Sequence, residues 1–175
     1  MRPPSEIERL VDEQIDVREE SPEDFYQKPE KRIGGGGYAD VFKIKRNSDG
    51  QYFALKILLF SKKDAKALLY ECSLSRMLRC PYIVNCEEVF KWKDKIWVFL
   101  ELLEEGDLTN LPKGFNENEN CCKYTIYSVL MGIQALHNKN ILHRDIKAEN
   151  ILHRSNGDIK LANMGLSIFL TDAEF

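Results

Sequence analysis

Histidine, proline and tryptophan are scarce in this chain, with 3, 6 and 2 copies in 175 residues. The five cysteines (Cys72, Cys80, Cys86, Cys121, Cys122) are odd in number, contain no C-x-x-C pair and lack zinc-type spacing. That argues against a structural metal and against a disulfide framework, and reads as reduced thiols of a cytoplasmic protein. His137 and His153 have no metal-ligand residue types beside them. No run approaches the length of a transmembrane helix. No apolar stretch follows Met1-Arg2-Pro3-Pro4-Ser5, so a signal peptide is not expected. Excess positive charge is missing too: 25 Lys and Arg face 28 Asp and Glu, net −3. Nucleic acid and membrane surfaces are therefore not expected partners. There is no internal repeat and no low-complexity segment.

The remaining composition is that of a globular protein. The first thirty residues are its acidic part. Residues 5–20 allow a short helix, capped by Ser5 with Glu8 three positions on, and equally allow a solvated tail. From Asp24-Phe25-Tyr26 onward the pattern is of strands. Val41 to Lys45 alternates with period two, Asn47-Ser48-Asp49-Gly50 is a turn, and Gln51 to Phe60 is a buried strand. Ser61 to Leu78 reads as a helix. Ile83 to Trp92 and Ile96 to Leu103 read as two further strands. Gly106 marks a break. Asn120 to His137 reads as a second helix, with Ile126, Val129, Leu130, Ile133 and Leu136 expected on its buried face. Asn156-Gly157 between Ile151-Leu152-His153 and Ile159-Lys160-Leu161 is a hairpin signal.

Four stretches carry chemistry. His143-Arg144-Asp145-Ile146-Lys147-Ala148-Glu149-Asn150 puts a carboxylate, an amine and an amide on one short polar loop between apolar segments. A base, a phosphate-neutralising cation and a metal-binding amide within six residues suit phosphoryl transfer. Ile33-Gly34-Gly35-Gly36-Gly37-Tyr38-Ala39-Asp40-Val41 would let backbone amides approach phosphates with no Cβ in the way. By itself it could as well be a flexible hairpin. Phe53-Ala54-Leu55-Lys56 ends an apolar run on a lysine, costly to bury without a partner. Glu71, on the following helix, is its candidate. Trp97 to Leu103 is an apolar strand that gains meaning only in register with the others.

Together these motifs resemble the eukaryotic protein kinases of serine/threonine type. Lys147, two residues after Asp145, is the serine/threonine form. Asp24–Tyr26, Cys80-Pro81-Tyr82-Ile83-Val84 and the catalytic loop are most similar to the sterile-twenty/germinal-centre group. The resemblance implies an α+β fold, a five-stranded N-lobe with one helix followed by the first part of a mainly helical C-lobe. It covers about 25–175, with the N-lobe at about 25–103 and a partial C-lobe at about 104–175. Residues 1–24 are expected to be an acidic extension, helical or disordered. The A-P-E end of the activation segment and the later helices are expected to be missing, and with them efficient phosphotransfer.

The resemblance also implies ATP and Mg²⁺ as cofactors, and a protein substrate or scaffold partner. Ile33, Gly34, Gly36, Val41, Ala54 and Leu152 would enclose the nucleotide. Lys56 with Glu71 would hold its α- and β-phosphates, and the backbones of Glu101 and Leu103 would meet the adenine edge. Asp145 would orient the substrate hydroxyl, Lys147 would neutralise the γ-phosphate, and Asn150 would bind a metal ion. The main departure is Asn163-Met164-Gly165, eighteen residues after Asp145, where the family has D-F-G. An amide at Asn163 offers a metal only a neutral oxygen, so metal binding is expected to be weakened. Two readings follow: an impaired kinase, or a pseudokinase or nucleotide-binding scaffold without phosphotransfer.

Overall fold

The computed structural model describes residues 13–35, 40–59, 62–111 and 118–170, the side chains of 62–67 excepted. Described residues up to Met77, with Asn85–Leu102, form one compact unit. Leu78–Val84 and the described residues from Leu103 on form the other.

In the first unit six strands make one sheet: β1 (Val17–Arg18), β2 (Arg32–Gly35), β3 (Asp40–Lys45), β4 (Tyr52–Leu59), β5 (Cys86–Trp92) and β6 (Lys95–Glu101). Their spatial order is β1-β5-β6-β4-β3-β2. The last five are the expected strands, paired antiparallel. β1 is an addition that joins β5 in parallel, Val17 opposite Val89 and Arg18 opposite Phe90. The helix expected over 5–20 lies mostly outside the described residues. Within them Glu13 and Gln14 are helical, and the chain is already extended at Val17. Ser21 then caps a 3-10 turn, Pro22–Asp24.

Alternation along the strands sorts the side chains onto two faces. Phe53 and Leu55 of β4, Phe90 of β5 and Phe99 of β6 pack with Tyr26 and Ile44 in an aromatic cluster. Tyr26, 2% exposed, stacks on Phe99 at 3.8 Å between centroids. Burial pushes its hydroxyl well above the usual tyrosine range. The opposite face joins Leu58, Val89, Ile96 and Val98 to Leu68 and Cys72 of helix α1 (Lys62–Leu78). Lys56 lies opposite Val41 on one side and Val98 on the other, and Ala54 opposite Leu100. Val41, Ala54 and Lys56 therefore share the face on which α1 packs.

β5 begins at Cys86, three residues later than the sequence suggested. Ile83 instead closes a turn, its N–H donating to Cys80 O at 3.1 Å, and makes a parallel bridge to Leu161.

The second unit holds β7 (Gly106–Asp107), α2 (Glu119–His137), β8 (Ile141–Leu142), β9 (Ile151–His153), β10 (Ile159–Leu161) and β11 (Ile168–Phe169). The Asn118 side chain caps α2, accepting from the N–H groups of Asn120 and Cys121. β9 and β10 form the expected hairpin, Leu152 opposite Lys160.

The buried stripe of α2 differs in part from the one that apolar periodicity marks: Leu136 is buried as expected, and Val129 and Ile133 are half-buried. Ser128, Gly132 and Leu136 are buried, whereas Ile126 and Leu130 are 60% and 57% exposed. The reason is steric. A Cβ on Gly132 would lie 2.9 Å from Leu161 Cδ1 and 3.0 Å from Tyr82 O. The closest approach falls at Gly132, with Leu136 one turn on buried in the same line, and Ile126 and Leu130 lie to either side of it.

Candidate functional site

The expected site residues form two groups, one in each unit. In the first, Lys56 Nζ donates to Glu71 Oε2 at 3.1 Å, with the two side chains 23% and 15% exposed. The fifteen-residue separation works because β4 and α1 are consecutive elements packed face to face. Gly34 lies opposite Val41, with a register shift between Arg32 and Gly34. Ile33 is exposed, and Gly36 lies outside the described residues.

Glu101 is held at both its backbone and its side chain. Its N–H donates to Asn85 O at 3.0 Å, and its Oε1 accepts from Asn85 N at 2.7 Å. The turn around Asn85, which sequence reasoning passed over, thus fixes the end of β6. Ser75, which the sequence already marks as a departure, fastens the start of β5. It stands where the resembled family has an apolar side chain, and its Oγ accepts from Cys86 N at 2.9 Å. That closes the first amide of β5.

In the second unit, Leu103 is buried and its carbonyl accepts from Gly106 N at 3.3 Å. Leu152 is half-buried on β9, opposite Asp107 of β7. The residues of the expected catalytic loop make one connected network. Lys147 Nζ is 3.0 Å from Asp145 Oδ2. Asn150 Nδ2 donates to the same Oδ2 at 2.7 Å and to Asp145 O at 2.8 Å. Asn163 Nδ2 donates to Asn150 Oδ1 at 3.1 Å, and Ala162 N to Asn150 O at 2.8 Å. The Lys147 ammonium, then the Asn150 amide, hold the Asp145 carboxyl below its usual range against a smaller effect of desolvation.

The loop is braced from below. His143, buried, accepts the Asp145 N–H at Nδ1 (3.3 Å) and presents Nε2 to Ala162 O (3.1 Å). Arg144 is in the left-handed region at φ 64° and donates from Nε to Leu166 O at 2.7 Å. Asn163 is also left-handed, at φ 62° and ψ 70°, a conformation asparagine tolerates better than most residues. Met164 is buried in the Phe position of the resembled motif.

The sequence itself matches known proteins. The sequence model of the protein kinase domain matches residues 27–175. The chain belongs to the protein kinase family. It is 35% identical over 139 residues to the probable serine/threonine-protein kinase mkcC of Dictyostelium discoideum, covering 79% of this chain and 16% of that protein. It is 35% identical over 150 residues to human myosin-IIIa, covering 79% and 9%. The serine/threonine-protein kinase pakA of Dictyostelium discoideum is 31% identical over 143 residues, covering 80% and 12%. The chain spans under a fifth of the length of each of these relatives. The α+β arrangement is that of a protein kinase.

The kinase family implies a nucleotide and a divalent cation, and the donor set can be tested for the second. Asn150 Oδ1 already accepts from Asn163, and Asn163 brings a neutral amide. Hard dications favour anionic oxygens. The only carboxylate of the network, Asp145, is bound to Lys147 and Asn150. Among the described residues no group of three or more His, Cys, Asp or Glu could hold a metal. As arranged, these residues do not fit a dication.

Proposed function

We propose that this chain is the nucleotide-binding and catalytic-loop part of a protein serine/threonine kinase domain, binding ATP and directing its γ-phosphate to protein hydroxyls. The observation that carries the reading is Asp145. Its carboxylate is ionised and held in place by Lys147 and Asn150, a group poised to accept or orient the proton of a substrate hydroxyl. Lys147 would face the transferred phosphate. Lys56, kept in place by Glu71, would neutralise the α- and β-phosphates, with Ile33, Gly34, Gly36, Val41, Ala54 and Leu152 around the nucleotide and Glu101 and Leu103 at the adenine edge.

We take 25–175 as the kinase domain, split near residue 103, and 1–24 as its acidic extension, of which Val17–Arg18 adds a strand to the sheet. Five free cysteines suit a reducing compartment such as the cytoplasm. No helix among the described residues is long and apolar enough to cross a membrane.

A second reading, a nucleotide-binding scaffold without phosphotransfer, is favoured by one observation: the amide of Asn163 in place of a carboxylate. Two assays separate the readings. Thermal unfolding with added ATP reports binding, and radiolabel transfer from γ-labelled ATP to a generic protein substrate reports chemistry. Kinase function predicts both signals, with transfer lost in Asp145→Asn. Binding without transfer selects the scaffold. Failure of ATP to raise the unfolding temperature overturns both.

A further inference from the structure

The network from Lys147 to Asn163 has a direction, and the direction is set at Asp145. A carboxylate only accepts hydrogen bonds. Asn150 touches two Asp145 oxygens, at 2.7 and 2.8 Å, so the group there must be its Nδ2. A flipped amide would set oxygen against oxygen twice, and partners of this kind are what assign an amide. Asn150 Oδ1 is thereby turned toward Asn163. Oxygen again requires a donor, so Asn163 must present its own Nδ2, as it does at 3.1 Å. The charge of Asp145 orients an amide two steps away.

Asn150 is 5% exposed, so water has little access to replace a lost partner of its Oδ1. An aspartate at 163 would place a carboxylate oxygen against that acceptor. Two acceptors at this distance need a cation or a proton between them. The asparagine supplies its electropositive hydrogen atoms from within the chain.

We propose that the Asn163 amide takes the place of a divalent cation in this chain, fastening the segment after β10 to the catalytic loop without metal and leaving nucleotide binding independent of one. The second half rests on the ATP-binding reading above; the first half does not. The bridge joins residues thirteen apart, on either side of the β9–β10 hairpin. It also holds Asn163 in its left-handed conformation from the side-chain end. Glycine adopts that conformation freely but carries no amide, and aspartate keeps the shape but reverses the polarity.

The experiment is thermal unfolding of the full chain and two variants, each without nucleotide, in EDTA and in millimolar MgCl₂ at matched ionic strength. The parent should unfold at the same temperature in both. Asn163→Asp should unfold about 2–4 °C lower in EDTA and recover in MgCl₂. Asn163→Gly should fall in EDTA and stay low in MgCl₂, since it has neither the amide nor a carboxylate. The proposal is overturned if Mg²⁺ stabilises the nucleotide-free parent, or if Asn163→Asp matches the parent in EDTA. A calorimetric titration with ATP then tests the second half. Affinity for the parent should change less than about threefold between EDTA and MgCl₂, a difference under about 0.7 kcal/mol. A tenfold gain with MgCl₂ overturns metal independence. No binding in either buffer sinks the nucleotide reading, while the unfolding data still decide the bridge.

Discussion

Lys56 on β4 and Glu71 on α1 are joined at 3.1 Å although fifteen residues separate them, and both are largely withdrawn from solvent. Lys56→Met leaves a carboxylate behind without its cation, which costs about 1–3 kcal/mol. It should also abolish the rise in unfolding temperature that the proposed ATP binding would produce. A double-mutant cycle with Glu71→Gln should return a coupling energy of roughly 0.5–3 kcal/mol. Additive effects in that cycle would mean that the pair is a solvated contact with no role in positioning the lysine.

The Asp145 carboxyl lies below its ordinary 3.8 because it gains Lys147 and Asn150 on folding. A carboxyl depressed in the folded state stabilises above its unfolded value, and that contribution is lost as pH falls through the lower folded one. The window is therefore acid of 3.8, and neutral pH lies outside it. Lys147→Ala should move the Asp145 titration up toward the ordinary value. Carbon-13 NMR of the side-chain carboxyl would show it; an unmoved titration would leave the lysine without influence on Asp145.

Gly132→Ala sets two effects against each other. Alanine gains about 1 kcal/mol of helix propensity over glycine. Its Cβ would meet Leu161 at 2.9 Å and the carbonyl of Tyr82 at 3.0 Å, and a backbone oxygen yields little. Overpacking of this kind costs about 1–3 kcal/mol, so the variant should be neutral to about 2 kcal/mol less stable in urea unfolding. A clear gain in stability would show that α2 does not depend on the close approach.

The segment before β2 should rank by burial, not by charge. Tyr26→Ala empties a place in the aromatic cluster and should cost about 3–5 kcal/mol. Arg18 lies over the rings of Phe25 and Phe90, at 4.0 and 4.7 Å from their centroids, and pairs with Glu20 and Glu88. Arg18→Ala should cost only about 0.5–1 kcal/mol, as partly exposed cation–π contacts do. Chemical denaturation of both variants checks the order; a larger loss at Arg18 would reverse the argument.

Local chemistry was legible from the residues themselves. Strand alternation located β3, and apolar runs located β4 and β6. Helix periodicity located α1 and α2, and Asn156-Gly157 located the β9–β10 turn. The cluster of Asp145, Lys147 and Asn150 was legible because the three are close in sequence, so their spacing alone brings them together. Three things were decided only by the fold. The first is β1: a two-residue strand carries no periodicity, and only an open edge at β5 makes Val17–Arg18 extended. The second is which face of α2 is buried. Periodicity counts apolar side chains, but the contact line follows Gly132, whose lack of a side chain matters only once Leu161 lies against it. The third is the orientation of two amides. The sequence shows that Asn163 lacks a charge. It does not show that Asn163 donates to Asn150, because the direction of that bond comes from Asp145 through a contact that exists only when the loop and the end of β10 are folded together.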